Sequence, residues 1–489
     1  MEKDLTKEQK DYAIFLPAIS SFYSTFIGKQ RYPDPVKGIY VDPARIPKNM
    51  PFGVESGNWL EPAAGIWNYK WSLYSAGHAS LELGRIDKED MTRNRDRNSS
   101  WLLGDSGGFQ IGKGKWEGDW RAGSGCAKAQ KKRELVLAWM DEYMDYGMVL
   151  DIPAWVSRSP EGAIASKISS YQEAVEGTQQ NNEYFIKNRN GNCKFLNVLQ
   201  GENFAQADDW YEQMKKYSDP KQYPDNHFNG WSMGGQNMCD IHLALKRLVT
   251  LRYDGLLEEG KQDIMHFLGT SKLEWGVMLT AVQRAVRKYH NPNFIVTYDC
   301  ASPFLCTANG QQYTNWRLDH NGKWSYIMEP APDDKGFKQD TRPWDEECVK
   351  HHANWNPSPM SEGLLVNDVC KYGPGDLNKN NKEGNTSWDS FSYFLMMNHN
   401  VYTHIKSVQE ANKAMDNGSY PNWLVNETFE RQAVCEMIDR VFEIDDKDKA
   451  LEFIDQNEKL WMMVPGTRGA IGKKTINAST QFNNLFEEE

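Results

Sequence analysis

Residues 100–114, SWLLGDSGGFQIGKG, run from an apolar segment straight into an acid and then break on two glycines. A short apolar run that stops in a Gly-containing loop reads as a buried strand. A lone carboxylate at the end of such a strand is costly to bury unless it is paired or used, so Asp105 marks that strand end as a place with a task. The same grammar recurs along the chain. GIYVDP, YGMVLDIP, CKFLNVLQGEN, FNGWSMGG, IMHFLGTS and NFIVTYDCASP each close an apolar run on polar or Gly-rich residues. Between them lie amphipathic segments of helix length: KKRELVLAWMDEYMDY, YQEAVEGTQQNNEYFIKNR, CDIHLALKRLVTLRYDGLL and LEWGVMLTAVQRAVRKYH. Strand and helix alternate, the pattern of an α/β fold with a parallel sheet. An open doubly wound sheet satisfies that pattern too. A closed (β/α)8 TIM barrel is favoured, because acid, acid, amide, glycine pair, histidine and acid fall in turn at strand C-termini, where such a barrel assembles its site.

The barrel core is expected over residues 1–305. From about Cys306 to Gly384 the pattern dissolves into a stretch rich in Gly, Pro, Asn and Trp, read as a polar insertion or subdomain over 306–386. Helical periodicity returns in WDSFSYFLMMNHNVYTHIKSVQEANKAM, which predicts a closing barrel helix within 387–418, and persists in a helical extension over 419–489. The late PGTRGAIGKKT is no triphosphate loop: the first glycine of that motif falls on Thr467, and Lys474 stands where Ser or Thr is required. As a basic tail it is a candidate for contact with a backbone phosphate.

Composition narrows the function classes. The 489 residues are 39% hydrophobic and 25% charged, ordinary for a folded soluble domain, and a net charge of −11 excludes coating of nucleic acid by bulk charge. A local basic strip remains: Lys113, Lys115, Arg121, Lys128, Lys131, Lys132 and Arg133 against only Glu117 and Asp119. It reads either as a solvated loop and helix start or as a set of phosphate contacts. Eight scattered cysteines make no compact disulfide framework, so reduced thiols are expected. With no signal-peptide core in MEKDLTKEQKDY and no apolar run near the roughly 20 residues that span a bilayer, the expected location is the cytoplasm, with no membrane partner.

Five motifs in this order, DSGGFQ at 105–110, VLQGEN around Gln200, GWSMGG ending at Gly235, HFLGTS from His266 and TYDCASP around Asp299, resemble the queuine tRNA-ribosyltransferase (tRNA-guanine transglycosylase) superfamily. The resemblance covers roughly residues 60–415 and includes MNHNVYTHIKSVQEAN around His399. It implies a barrel enzyme that exchanges guanine in a nucleic acid for a 7-deazaguanine without cutting the backbone. Chemistry of that kind needs a carboxylate to capture the sugar carbon and a second acid to protonate the departing purine. By motif position, Asp299 is similar to the nucleophile and Asp105 to the general acid/base. Ser106 and Asp151 are implied to touch the base, with Gln200 and the backbone amides of Gly234 and Gly235 as donors to its carbonyl. His266, Phe267 or Leu268 would cover its apolar face. Gly107 and Gly108 are expected to let the backbone approach a flat ligand.

The chain departs from the family in two places. Where the tRNA enzymes continue past the nucleophile with Pro-Thr-Arg, this sequence has Pro303-Phe304-Leu305. The usual zinc motif is missing, since Lys350 and Ala353 stand where thiols should follow Cys348; a substitute set would draw on Cys348, His351 or His352, and Cys370. No cofactor is required for the chemistry. These departures point to a DNA-directed branch resembling the DpdA-type DNA-guanine transglycosylases of bacteria and phages, which place 7-deazaguanines such as 7-cyano-7-deazaguanine in genomes and blunt restriction; for a phage chain the location is the host cytoplasm. Expected partners are DNA ahead of tRNA, the free 7-deazaguanine base and, as an open alternative, a second copy of the chain. The alternatives in function are a tRNA-guanine transglycosylase with divergent RNA contacts and a non-catalytic nucleic-acid-binding subunit. Flipping a base from a duplex also needs residues to fill the gap, for which Trp316, Trp324, Trp344 and Trp355 are candidates.

Overall fold

The computed structural model describes residues 1–30, 41–84, 90–320, 322–371, 373–374, 385–421, 424–426 and 432–467. Eight parallel strands form one sheet: β1 (Ile14–Pro17), β2 (Trp71–Ser75), β3 (Trp101–Asp105), β4 (Tyr146–Met148), β5 (Lys194–Leu199), β6 (Gly230–Met233), β7 (Ile264–Phe267) and β8 (Ile295–Cys300). They neighbour one another in the order β1-β8-β7-β6-β5-β4-β3-β2. A parallel bridge from Ala18 to Leu73 returns β1 to β2, with the Ile19 N–H donating to the Leu73 carbonyl at 2.9 Å. The ring is nearly closed, the α/β barrel that alternating strands and helices predict.

Helices α1 (Ser21–Gln30), α2 (Gly108–Gly112), α3 (Ala127–Tyr143), α4 (Pro160–Ser166), α5 (Tyr171–Asn188), α6 (Phe204–Met214), α7 (Ile241–Tyr253), α8 (Leu273–Tyr289) and α9 (Ser302–Ala308) follow the strands. Their starts are written locally: Ser170, Asn203 and Asp240 each accept a backbone N–H from the first turn of α5, α6 and α7. These caps fix where each loop ends, and so how much chain hangs over the strand ends.

The expected strand GIYVDP is not borne out where it can be seen: residues 38–40 lie outside the described residues, and Pro43–Arg45 is a 3-10 turn. The first two staves are instead IFLP, only four residues long, and WSLYS, interrupted by two serines.

Beyond α9 the expected insertion begins with an antiparallel hairpin, β9 (Gln311–Arg317) and β10 (Ser325–Pro330), followed by α10 (Trp344–His351) and α11 (Val366–Val369). Its tryptophans serve its own core. Trp324 and Trp344 are buried, Trp316 packs partly buried, and Trp355 stacks on His399 with ring centroids 4.7 Å apart. Helix α12 (Ser390–Asp416) runs 27 residues through the interior, packed on α8, α9 and β9, its buried Asn398, Asn400 and His399 all hydrogen-bonded. The helical extension follows as α13 (Val434–Glu443), α14 (Lys447–Gln456) and α15 (Glu458–Trp461), with α13 against α8 and α14 against α7. Among the described residues no helix is long and apolar enough to cross a membrane. All eight cysteines are free thiols. Of the basic tail, residues 468–475 lie outside the described residues; Pro465 accepts from Trp275 Nε1 at 3.2 Å and Thr467 Oγ1 from the Ile241 N–H at 3.2 Å.

Candidate active site

Register determines which side chains meet at the C-terminal mouth. Ser75 lies opposite Asp105 on β2 and β3, and Ser75 Oγ donates to Asp105 Oδ2 at 2.5 Å. On the other side His266 of β7 lies opposite Thr297 of β8, and Asp299, two residues beyond Thr297, projects on the same face. Asp299 is 2% exposed. Its Oδ1 lies 3.1 Å from His266 Nε2 and accepts the Gly269 N–H at 2.9 Å, while Oδ2 has no hydrogen bond among the described residues. His266 Nδ1 lies 2.9 Å from Thr297 Oγ1.

Three acids share this mouth. Burial holds the Asp105 carboxyl above the usual carboxylate range, against the Ser75 hydroxyl and Gly107 amide that favour its anion, and the charge of Asp299 raises it further. Asp105 in turn acts on Asp151, just past β4, whose carboxyl is pushed up to about 7, chiefly by burial. Gln200 Nε2, at the end of β5, donates to Asp151 Oδ2 at 2.8 Å and pulls the other way. Asp105, Asp151 and Asp299 stand at or just past the C-terminal ends of parallel strands of one barrel, and Asp151 Oδ1 packs against Gly108, three residues beyond Asp105.

The structure reassigns several of the expected contacts. Gly107 adopts a left-handed φ of 77°, and a Cβ there would meet the Trp116 ring at 2.5 Å. A Cβ on Gly108 would meet the Asp151 carbonyl at 2.4 Å and its Oδ1 at 2.8 Å. Both glycines are therefore demanded by the protein's own packing, without any ligand. Gly108→Ala should displace Asp151 and cost about 1–3 kcal/mol in urea denaturation, as overpacking does; unchanged stability would mean that the loop gives way. Of the expected amide pair, the Gly234 N–H is taken by the Leu199 carbonyl at 2.7 Å, whereas the Gly235 N–H has no acceptor among the described residues. His266 and Phe267 are fully buried, so neither forms a wall for a base. Leu268 is partly exposed and does fit that part. Ser106 is buried, with no partner for its Oγ among the described residues.

Residues without a sequence signal, Trp155, Met238 and Cys239, join Phe109 and Leu268 at the mouth. The cluster sits beyond β4, β6, β3 and β7, with Phe109 in α2; Phe109 and Trp155 meet edge-on at 5.8 Å. The cluster supplies apolar surface beside the acids. Gln110 is 7% exposed, and its carboxamide has no hydrogen bond among the described residues. Asn237 Nδ2 ties the Gln200 and Gly234 carbonyls together at 3.3 and 3.0 Å, joining the β5 and β6 loops.

The basic strip breaks up on folding. Arg133 is buried, donating to Asn181 Oδ1 and Gln130 Oε1, each at 2.6 Å; Arg121 pairs with Asp119 at 2.6 Å; Lys132 lies over the Trp116 ring and Lys113 over Phe109. Arg158, beyond Trp155, pairs with the buried Glu202. A groove of about 600 Å³ between α8, α12 and α13 lies at the C-terminal ends of those first two helices, remote from the strand ends, and its Arg284 and Lys288 are paired with Asp416 and Asp439.

The substitute zinc set does not fit a metal. Gln312 Nε2 donates to Cys348 Sγ at 3.4 Å and lies 3.1 Å from His352 Nε2, so an amide occupies the space between those two side chains. His351 turns to Glu347 at 2.9 Å, His352 Nδ1 to Glu329 at 3.3 Å, and Cys370 Sγ donates to the Pro332 carbonyl at 3.5 Å. Burial pushes both thiols up, Cys370 to about 12, against the thiolate that zinc requires. Among the described residues no group of three His, Cys, Asp or Glu side chains is placed to hold a metal ion.

Fold and site together define an α/β barrel whose C-terminal mouth gathers three carboxylates, Asp151 and Asp299 buried and Asp105 half-buried, at the ends of its strands. No family model matches the chain, and no curated protein matches it.

Proposed function

We propose that this barrel exchanges guanine in DNA for a 7-deazaguanine through a glycosyl-aspartate intermediate. The observation that carries the reading is the unequal furnishing of two acids in one mouth. Asp299 has one oxygen fixed by two hydrogen bonds and the other open, as a nucleophile requires; Asp105 is held toward its protonated form by burial, as an acid requires.

Asp299 Oδ2 forms the bond to C1′ as the C1′–N9 bond breaks and its electron pair leaves with the purine. Asp105 gives that purine its proton. The resulting Asp105 carboxylate then takes the N9 proton of the incoming 7-deazaguanine, whose nitrogen attacks C1′ and expels Asp299. Two inversions leave the anomeric configuration unchanged. Asp151, oriented by Gln200, accepts from the base's N1–H and amino group; the Gly235 amide faces its carbonyl, and Leu268 with Phe109 covers its plane.

DNA is favoured over tRNA by the segment after the nucleophile. Pro303 and Phe304 are buried in the first turn of α9, so no cation stands there to hold an anticodon loop. The test incubates the protein with labelled guanine or 7-cyano-7-deazaguanine and either duplex DNA or tRNA. Label in DNA is the expected result. Label in tRNA alone replaces the substrate and keeps the chemistry, and binding of nucleic acid without label in either reduces the chain to a binding subunit.

A further inference from the structure

We infer that His266 is the positioning residue of the nucleophile: its Nε2–H, with Nδ1 held by the Thr297 hydroxyl, locks Asp299 Oδ1 and so selects Oδ2 as the atom that bonds to the sugar. The inference rests on the base-exchange reading for its chemistry and on the barrel for its geometry.

An ionised carboxylate only accepts, so the 3.1 Å contact requires a proton on His266 Nε2. A neutral imidazole then leaves Nδ1 as an acceptor, and Thr297 Oγ1, 2.9 Å away with no other hydrogen bond among the described residues, supplies the donor. The imidazole is fully buried in β7 directly opposite Thr297, so neither ring nitrogen has water to turn to. The Gly269 N–H converges on the same Oδ1 from the loop after β7. Two donors on one oxygen and none on the other fix the carboxylate plane and draw its charge unequally, leaving the better nucleophile at Oδ2. Attack from Oδ2 then needs no rotation of the side chain, the saving that pre-orientation provides.

His266→Phe removes the donor and keeps the bulk, while His266→Gln offers an N–H near the Nε2 position. Single-turnover exchange should lose about 100-fold in kcat with His266→Phe, with KM for the base within about twofold, and His266→Gln should recover to within about tenfold of the native rate. A change confined to KM, or an unchanged kcat, overturns the proposal. Imidazole ¹⁵N NMR of the full chain decides it independently of activity, with His266→Gln assigning the resonance. An Nε2–H tautomer whose shift moves on Asp299→Asn is expected; an Nδ1–H tautomer sinks the proposal. Should His266→Phe fail to fold, the isosteric Thr297→Val, which removes only the donor to Nδ1, should slow exchange about tenfold without changing base affinity, and no slowing counts against the proposal. If the native protein exchanges no base on any nucleic acid, the proposed function falls, and the tautomer still decides whether His266 locks Asp299.

Discussion

Asp299→Asn should abolish covalent capture of the nucleic acid and lower base exchange about 10³-fold or more. Asparagine keeps the size of the side chain and can still accept from His266 Nε2 and the Gly269 N–H through its oxygen, so the framework around position 299 survives. What disappears is the second carboxylate oxygen with its lone pair, replaced by an amide nitrogen that donates and does not attack carbon. The prediction separates chemistry from folding. The variant should unfold at the same urea concentration as the native chain to within about 1 kcal/mol, and should bind DNA unaltered, while no adduct survives denaturing electrophoresis. Asp105→Asn is the contrasting case: with Asp299 intact, a slow first step still deposits some adduct, and the loss falls on protonation of the leaving base, about 10²- to 10⁴-fold. An Asp299→Asn chain that still forms adduct at the native yield removes Asp299 from the chemistry altogether.

Much of this site was legible because strand ends carry their chemistry in contiguous residues. Asp105, Asp151, Gln200, Gly235 and Asp299 each follow a run of buried residues, and a barrel brings every such end to one face. What was not legible depends on register and on loops. WSLYS is not among the runs read as strands, since its serines interrupt the apolar pattern, yet Ser72 accepts from Trp59 Nε1 and Ser75 serves Asp105. With that stave unseen, the residue tuning Asp105 was unseen too. His266 looked like a wall for a purine, since a histidine at a strand end suits stacking; only its alignment with Thr297 turns it toward Asp299, and alignment between strands is not encoded within either segment. The Trp155–Met238–Phe109–Leu268 cluster draws on four segments far apart in sequence, and of these only Leu268 carried an expectation of meeting a base.

Asp151 should make the chain lose stability as the solution becomes less acidic, and Asp151→Asn should remove that loss. An acid whose carboxyl titrates at about 7 in the folded chain and near 4 when unfolded binds its proton more tightly in the folded state. Its contribution is therefore most favourable below about pH 4, declines as pH rises from about 4 to about 7, and stays at its lowest above. The gap corresponds to up to about 4 kcal/mol. Asparagine has no proton to lose and can still accept from Gln200 Nε2. Urea denaturation should thus find Asp151→Asn close to the native chain at pH 4.5 and more stable by a few kcal/mol at pH 8; an offset independent of pH would mean that Asp151 is ionised throughout. The same acid links stability to ligand. A base that presents N–H donors favours the Asp151 anion and repays part of its desolvation, so binding should strengthen between pH 6 and pH 8 and release protons, measurable by calorimetry in two buffers of different ionisation enthalpy. Loss of that release in Asp151→Asn would identify the instability of the empty mouth with its capacity to hold a base.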